Sequence, residues 1–195
     1  MNIYIGLCSS RFDIRFKKSI RGIQNIKIPK KYLFHIIIID NNSYNKKRLY
    51  INKLKNKKNL FFYYRVEKKR GIVHARNNFL NYVKNLNKEI SYIGFIDDDC
   101  IIDKNWLFNM IKFVDQNNCD IVGGPQHHKV KDKIFENYYD ILEPARHHGQ
   151  LVGWVATNNC FFSKKVFRES KFFFDTDFAS VGGSDQLFFG KLNKK

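Results

Sequence analysis

This chain is short of acids, of prolines, of closely spaced cysteines and of long apolar runs, and each shortage excludes something. Only 18 Asp and Glu stand against 35 Lys and Arg, a net charge of +17 over 195 residues. Three prolines and no Gly/Ser/Pro-rich stretch leave nothing that reads as an interdomain linker, so residues 1–195 read as a single domain. The cysteines Cys8, Cys100, Cys119 and Cys160 form no C-x-x-C pair. That argues against a disulfide frame or a zinc site and suits reduced thiols in the cytoplasm. No run of about 18 apolar residues is present, so no membrane-spanning helix is expected. The opening Met1-Asn2-Ile3-Tyr4-Ile5 reads as a first strand and lacks the basic-then-apolar build of a signal peptide.

The basic surplus draws polyanions: nucleic acid, anionic lipid head groups or phosphorylated substrates. Abundant Lys, Asn, Ile, Phe and Tyr also follow from a genome rich in A and T. Composition alone leaves functional and compositional basicity equally open.

What is present suits a globular enzyme: 44% of residues are hydrophobic. Strand-like apolar runs recur at Ile3–Cys8, Leu33–Ile39, Leu60–Tyr64, Tyr92–Ile96 and Asp120–Val122, separated by helical or polar segments. That alternation predicts an α/β domain with a mostly parallel central sheet and helices on both faces. Ile72, Ala75, Phe79, Val83 and Leu86 form one helical stripe; Leu107, Met110, Ile111 and Val114 form another, with Asp103 as its expected N-cap. Ile36 to Ile39 run without alternation, as in a central strand covered on both faces. Asp40 and Asp97 then fall at the carboxyl ends of strands, where open parallel sheets bind ligands.

Beyond Gly124 the pattern loosens. A strand extension over Gln126–Val130, a helix over Ile134–Leu142, a strand over Leu151–Thr157, a short helix over Ser163–Arg168 and a turn at Gly182-Gly183 are expected. Ten residues follow Asp185, which leaves either a short last helix or a missing C-terminal part.

Asp97-Asp98-Asp99 is the densest chemical signal. Three successive carboxylates repel one another unless a cation or a basic partner compensates. Hard oxygen donors suit Mg²⁺ or Mn²⁺. An ordinary acidic turn before a helix is the plainer alternative.

Several landmarks occur in order: Ser10-Arg11, Ile38-Ile39-Asp40-Asn41-Asn42-Ser43, Gly71-Ile72-Val73-His74-Ala75-Arg76-Asn77 and Phe95-Ile96-Asp97-Asp98-Asp99. Trp106-Leu107, Thr157-Asn158-Asn159, Phe174-Asp175 and Gly182-Gly183-Ser184-Asp185 follow. Together they resemble the family 2 glycosyltransferases, inverting enzymes of the GT-A fold, and they span nearly the whole chain.

The resemblance implies a metal-assisted transfer of sugar from a nucleotide-sugar donor, a UDP-sugar favoured, to an acceptor hydroxyl. It implies donor-nucleotide contacts from Ser10, Arg11, Asp40, Arg76, Asp97 and Asp98, with Asp40 bonding the base. The run Asp97–Asp99 resembles a D-x-D motif, with Asp97 and Asp99 on a Mn²⁺ or Mg²⁺ ion. Asp185 matches the catalytic base, although Ser184 stands where the family usually has Glu; capping of a helix over Gln186–Leu192 is the alternative for Asp185. Asp175 and Asp177 are reserve candidates for the base.

Trp154, Asn158 and Asn159 are candidates for sugar or acceptor contact, and Phe172–Phe174 could also stack on a sugar, with core packing the favoured alternative for most of these aromatics. The pairs His127-His128 and His147-His148 read as surface or acceptor-loop histidines, since adjacent rings do not converge on one ion. The implied setting is the assembly of cell-surface polysaccharide or lipopolysaccharide, in the cytoplasm or at the inner face of an anionic membrane, with a saccharide or lipid-linked acceptor. No specific nucleic-acid partner is expected. Three alternatives remain: a basic nucleic-acid-binding protein, a Mg²⁺-dependent nucleotidyltransferase, and an inactive member that only binds nucleotide sugar.

Overall fold

Strand β1 (Asn2–Ser9) sends Ile3, Ile5 and Leu7 into one apolar layer and Tyr4 and Cys8 into the other. Strand β2 (Leu33–Asp40) repeats this, with Ile36 and Ile38 opposed to Ile37 and Ile39, all four at 0% exposure. A run without polar alternation is what burial on both faces requires. β1 pairs in parallel with β2 and with β4 (Ile90–Ile96), and β2 in parallel with β3 (Leu60–Val66). Two short strands, β5 (Ile121–Gly123) and β6 (Asn159–Ser163), complete the sheet in antiparallel pairing. The order is β3-β2-β1-β4-β6-β5. This is the expected α/β architecture. The computed structural model describes residues 1–127, 148–168, 173–179 and 182–193.

One helical layer consists of α1 (Ile14–Gln24), α2 (Asn45–Asn52) and α4 (Trp106–Asn117). Phe16, Ile20, Ile51, Leu107 and Met110 bring these helices into a shared core. The other layer holds α3 (Ile72–Lys84), the short α5 (Lys164–Arg168) and α6 (Ser184–Asn193), joined through Phe79, Val83, Phe167, Phe188 and Phe189. Asp13 starts α1 by accepting from the amides of Arg15 and Phe16. Gly71 starts α3 at φ 122°, a conformation costly for any residue with a side chain.

Three local expectations need correction. Asp103 does not cap α4; Asn105 occupies the cap position, while Asp103 bonds the Asn105 amide at 2.7 Å and closes the preceding turn. Leu151–Thr157 is not a strand: Leu151 is 96% exposed, and pairing begins only at Asn159. Cys160, Phe161 and Phe162 are the fully buried residues that fit between β4 and β5. Gln126 and His127 extend no strand; the rest of that run and the helix expected over Ile134–Leu142 lie outside the described residues, as do His128, His147 and Phe172.

Candidate active site

The parallel strands all finish at one edge of the sheet. β1 ends at Ser9, β2 at Asp40 and β4 at Ile96, with Asp97 next. Because β6 runs the other way, it begins there, and the Asp97 amide bonds the carbonyl of Asn158 at 3.3 Å. Asp185, in the first turn of α6, and Arg76, one turn into α3, reach the same edge. Residues far apart in sequence meet here because the sheet is parallel.

Arg11 lies across the carboxylate run. Its guanidinium donates to Asp99 at 2.9 Å and stands 3.5 Å from Asp98. Asp98 turns inward and is 7% exposed, whereas the Asp99 side chain is 42% exposed. Burial pushes the Asp98 carboxyl up, against the pull of a Ser9 hydrogen bond and of Arg11. Asp97 rises to about 6: burial is the main cause, Arg76 opposes it, and the charges of Asp99, Asp185 and Asp98 add to it. Ser10 is exposed and offers its carbonyl to the Asn42 side chain at 3.3 Å.

Asp40, expected to bond the base, is enclosed. Its side chain is at 0% exposure and both oxygens are taken. Lys47 Nζ donates at 2.7 Å, the Tyr64 hydroxyl at 2.6 Å, and the amides of Asn42 and Tyr44 at 3.1 and 2.9 Å. Burial raises the Asp40 carboxyl, but these donors outweigh it and hold it below the usual range. A carboxylate so enclosed organises the loop after β2 and has no free face for a base. Lys47 is itself wholly buried and also donates to Ser9.

Arg76 and Asp185 form the second constellation. Arg76 Nη1 donates to Asp185 Oδ1 at 2.7 Å and to the Ser184 hydroxyl at 3.1 Å, and its guanidinium lies over the Phe174 ring at 5.2 Å. Asp185 Oδ2 accepts from the Thr157 amide at 2.9 Å and the Thr157 hydroxyl at 2.7 Å, and Ser184 donates to Oδ1 at 3.1 Å. Both carboxylate oxygens are thus engaged by Arg76, Thr157 and the Ser184 hydroxyl, and among the described residues neither accepts from a backbone amide of α6. Its side chain keeps 21% exposure.

The remaining candidates divide. Asn159 is spent on the scaffold, accepting from Trp106 Nε1 at 2.7 Å and donating to the Pro125 carbonyl at 3.0 Å. Asn158 donates to Gln126 at 2.8 Å, while its buried Oδ1 has no partner among the described residues. Trp154 packs half-buried against the α3-side core. Asp175 caps a short 3₁₀ turn (Thr176–Phe178) and pairs with Lys191 at 3.1 Å, which holds its carboxyl low. A separate groove of about 500 Å³ between β3 and α3, lined in part by Arg65, Glu67, His74, Asn78 and Tyr82, contains none of the predicted residues. Sequence reasoning assigned no role to Ser9, Lys47, Tyr64 or Thr157. Thr157 stood in a recognised landmark; the other three carried no signal.

For a divalent cation, the donors at the edge are the hard oxygens of Asp97 and Asp99. No group of three or more His, Cys, Asp or Glu side chains converges among the described residues. The set fits Mg²⁺ or Mn²⁺, which keep most of their coordination for water and phosphate, and does not fit an all-protein cage.

Aspartates gathered at the strand-end edge of a sheet of this order are the arrangement expected from the resemblance to GT-A glycosyltransferases. The chain belongs to glycosyl transferase family 2, whose model matches residues 15–179. Among solved structures, it resembles residues 1–349 of TarS from S. aureus: TM-score 0.66 and 18% identity over 98% of this chain and 55% of that one. The same protein was solved with UDP and with UDP-GlcNAc. A mannosyltransferase from Pyrobaculum calidifontis, in complex with GDP-Man and Mn²⁺, gives a TM-score of 0.69 at 15% identity, over 97% of this chain and 51% of its own. The chain thus spans about half the length of these structures. A search of curated proteins finds no match.

Proposed function

We propose that the chain transfers a sugar from a nucleotide-sugar donor, a UDP-sugar in first place, to an acceptor hydroxyl with inversion. The observation that carries this reading is the meeting of Asp97, Asp99 and Asp185 with Arg11 and Arg76 at the strand-end edge of a family 2 domain. UDP in one neighbour, and GDP-Man with Mn²⁺ in the other, support a donor held together with a cation.

The acceptor oxygen attacks the anomeric carbon, the bond to the diphosphate oxygen breaks, and the acceptor proton passes to the Asp185 carboxylate. Attack opposite the leaving group inverts the centre. Asp97 and Asp99 would hold a cation, which when bound would neutralise the charge gathering on the diphosphate. Arg11, paired with Asp99 at 2.9 Å, would be free to turn to the donor phosphates once that carboxylate served a cation. For Asp185 to accept a proton, one of its four donors must yield. Arg76 is the one with a second anion, the donor diphosphate, to turn to. Thr157 stays in place and fixes the carboxylate. The family resemblance supports a setting in the assembly of cell-surface polysaccharide or lipopolysaccharide.

Ser184 and the tethering of Asp185 favour a second reading, a chain that binds nucleotide sugar without transferring it. Both readings share one test of the donor site. Calorimetry with UDP should give tight binding with Mn²⁺ and weak binding with a chelator, and Asp99→Ala should erase the difference. Equal affinity with metal and with chelator in the unmodified protein would remove the metal assignment.

A further inference from the structure

Positive charge is not spread evenly along this chain. Residues 1–58 hold 15 Lys and Arg against two acids, Asp13 and Asp40, a balance of +13; residues 59–195 hold 20 against 16, a balance of +4. A genome-wide compositional bias acts on the whole chain and gives no reason for that division.

The structure gathers the charge on one face. α1 and α2 lie side by side, with the Phe12 and Phe16 rings 5.6 and 6.3 Å from Tyr50. The Lys57 ammonium bonds the Gln24 carbonyl and ties the loop after α2 to the end of α1. Lys18 and Arg21 on α1, and Lys46, Arg48 and Lys53 along α2, are exposed. Asp40 is buried, so Asp13 is the sole surface carboxylate from this region, and Arg15 already holds it at 2.7 Å. The basic excess stops at the neighbouring α4 segment, where Asp103 and Asp115 accompany Lys104 and Lys112.

Exposed apolar side chains stand inside this field: Ile14 at 57%, Tyr44 at 41% and Leu49 at 60% exposure. A surface that only grips phosphates has no use for protruding aliphatic groups. A surface that lies in a bilayer interface uses both, cations at the head groups and apolar groups at the acyl boundary. We propose that the outer face of α1 and α2 docks on an anionic lipid bilayer. Both helices begin at the strand-end edge, so docking sets the rim of the donor cleft beside the membrane. The inference stands on charge and exposure and does not depend on transfer activity.

Co-sedimentation of the full chain with vesicles tests it. Binding is expected to phosphatidylcholine mixed with phosphatidylglycerol at low salt, and not to phosphatidylcholine alone. Charge reversal of Lys18, Arg21, Lys46 and Arg48 to Glu should weaken it at least about a hundredfold. The same four as Gln should weaken it less while keeping the native melt. Reversal of Lys68, Lys84, Lys88 and Lys165, equal in net charge, should cost under about tenfold, since distant charges are screened. Ile14→Ser with Leu49→Ser should weaken binding with charge unchanged. Equal loss from both charge-reversal sets, or normal binding by the α1–α2 set, would overturn the proposal. So would salt-steep binding to duplex DNA without vesicle binding, which would identify the face as a nucleic-acid surface.

Discussion

Asp40 and Lys47 meet at 2.7 Å where neither side chain touches solvent. Taking both charges out of water costs several kcal/mol, which their attraction offsets only because Tyr64, Ser9 and two amides complete the bonding. Asp40→Ala would leave the ammonium buried without its counter-charge. Urea melts should show a loss of about 3–5 kcal/mol, and adding Lys47→Met should restore much of it. Near-normal stability with impaired nucleotide binding would instead return Asp40 to the base-contact role that its strand-end position suggested. The sequence made that position legible. It could not reveal the partner, because a lysine seven residues on is ordinarily a surface residue. The same holds for Thr157, which reaches Asp185 across 28 positions.

At the scale of elements, legibility follows burial. The Ile36–Ile39 strand could be read because burial on both faces leaves an unbroken apolar run, and the stripes of α3 and α4 because packing on the sheet imposes their period. β6 was displaced because its buried core, Cys160 to Phe162, is three residues long and gives no period to count. One cross-strand feature escaped pattern reading altogether. Tyr4, His35 and Phe61 are register partners on β1, β2 and β3, and the imidazole stacks 4.5 Å from one ring and 5.2 Å from the other. Its nitrogens meet Tyr63 and Asn2 at 3.3 and 3.0 Å. Burial, helped by Lys88, lowers the His35 pKa from 6.5 to about 4. Between those values the unfolded chain binds a proton that the folded ladder refuses, so stability falls as pH drops from about 6.5 to about 4. The loss from this group is on the order of 3 kcal/mol. Urea melts at pH 7.5 and 4.5 should show a smaller pH dependence in His35→Phe by roughly that amount. Identical dependences in the two proteins would mean that the ladder accepts the charge.

For the whole molecule, the alternation of strands and helices announced a parallel sheet, and the sheet in turn explains why Asp97, Asp99, Arg76 and Asp185 share an edge. The tether from Thr157 and Arg76 to Asp185 was not legible, since it joins three distant segments that only the fold brings together. It also sharpens the central question, whether this edge performs transfer or only holds a donor. No helix among the described residues is long and apolar enough to cross a membrane. The most direct measurement is release of nucleoside diphosphate from a panel of nucleotide sugars with Mn²⁺ and saccharide or lipid-linked acceptors, run beside calorimetry of donor binding. Transfer should depend on Mn²⁺, and Asp185→Asn should lower it by about 10²–10⁴ while donor binding persists. Donor binding without release of nucleoside diphosphate in the unmodified protein, or near-normal transfer by Asp185→Asn, would contradict the account.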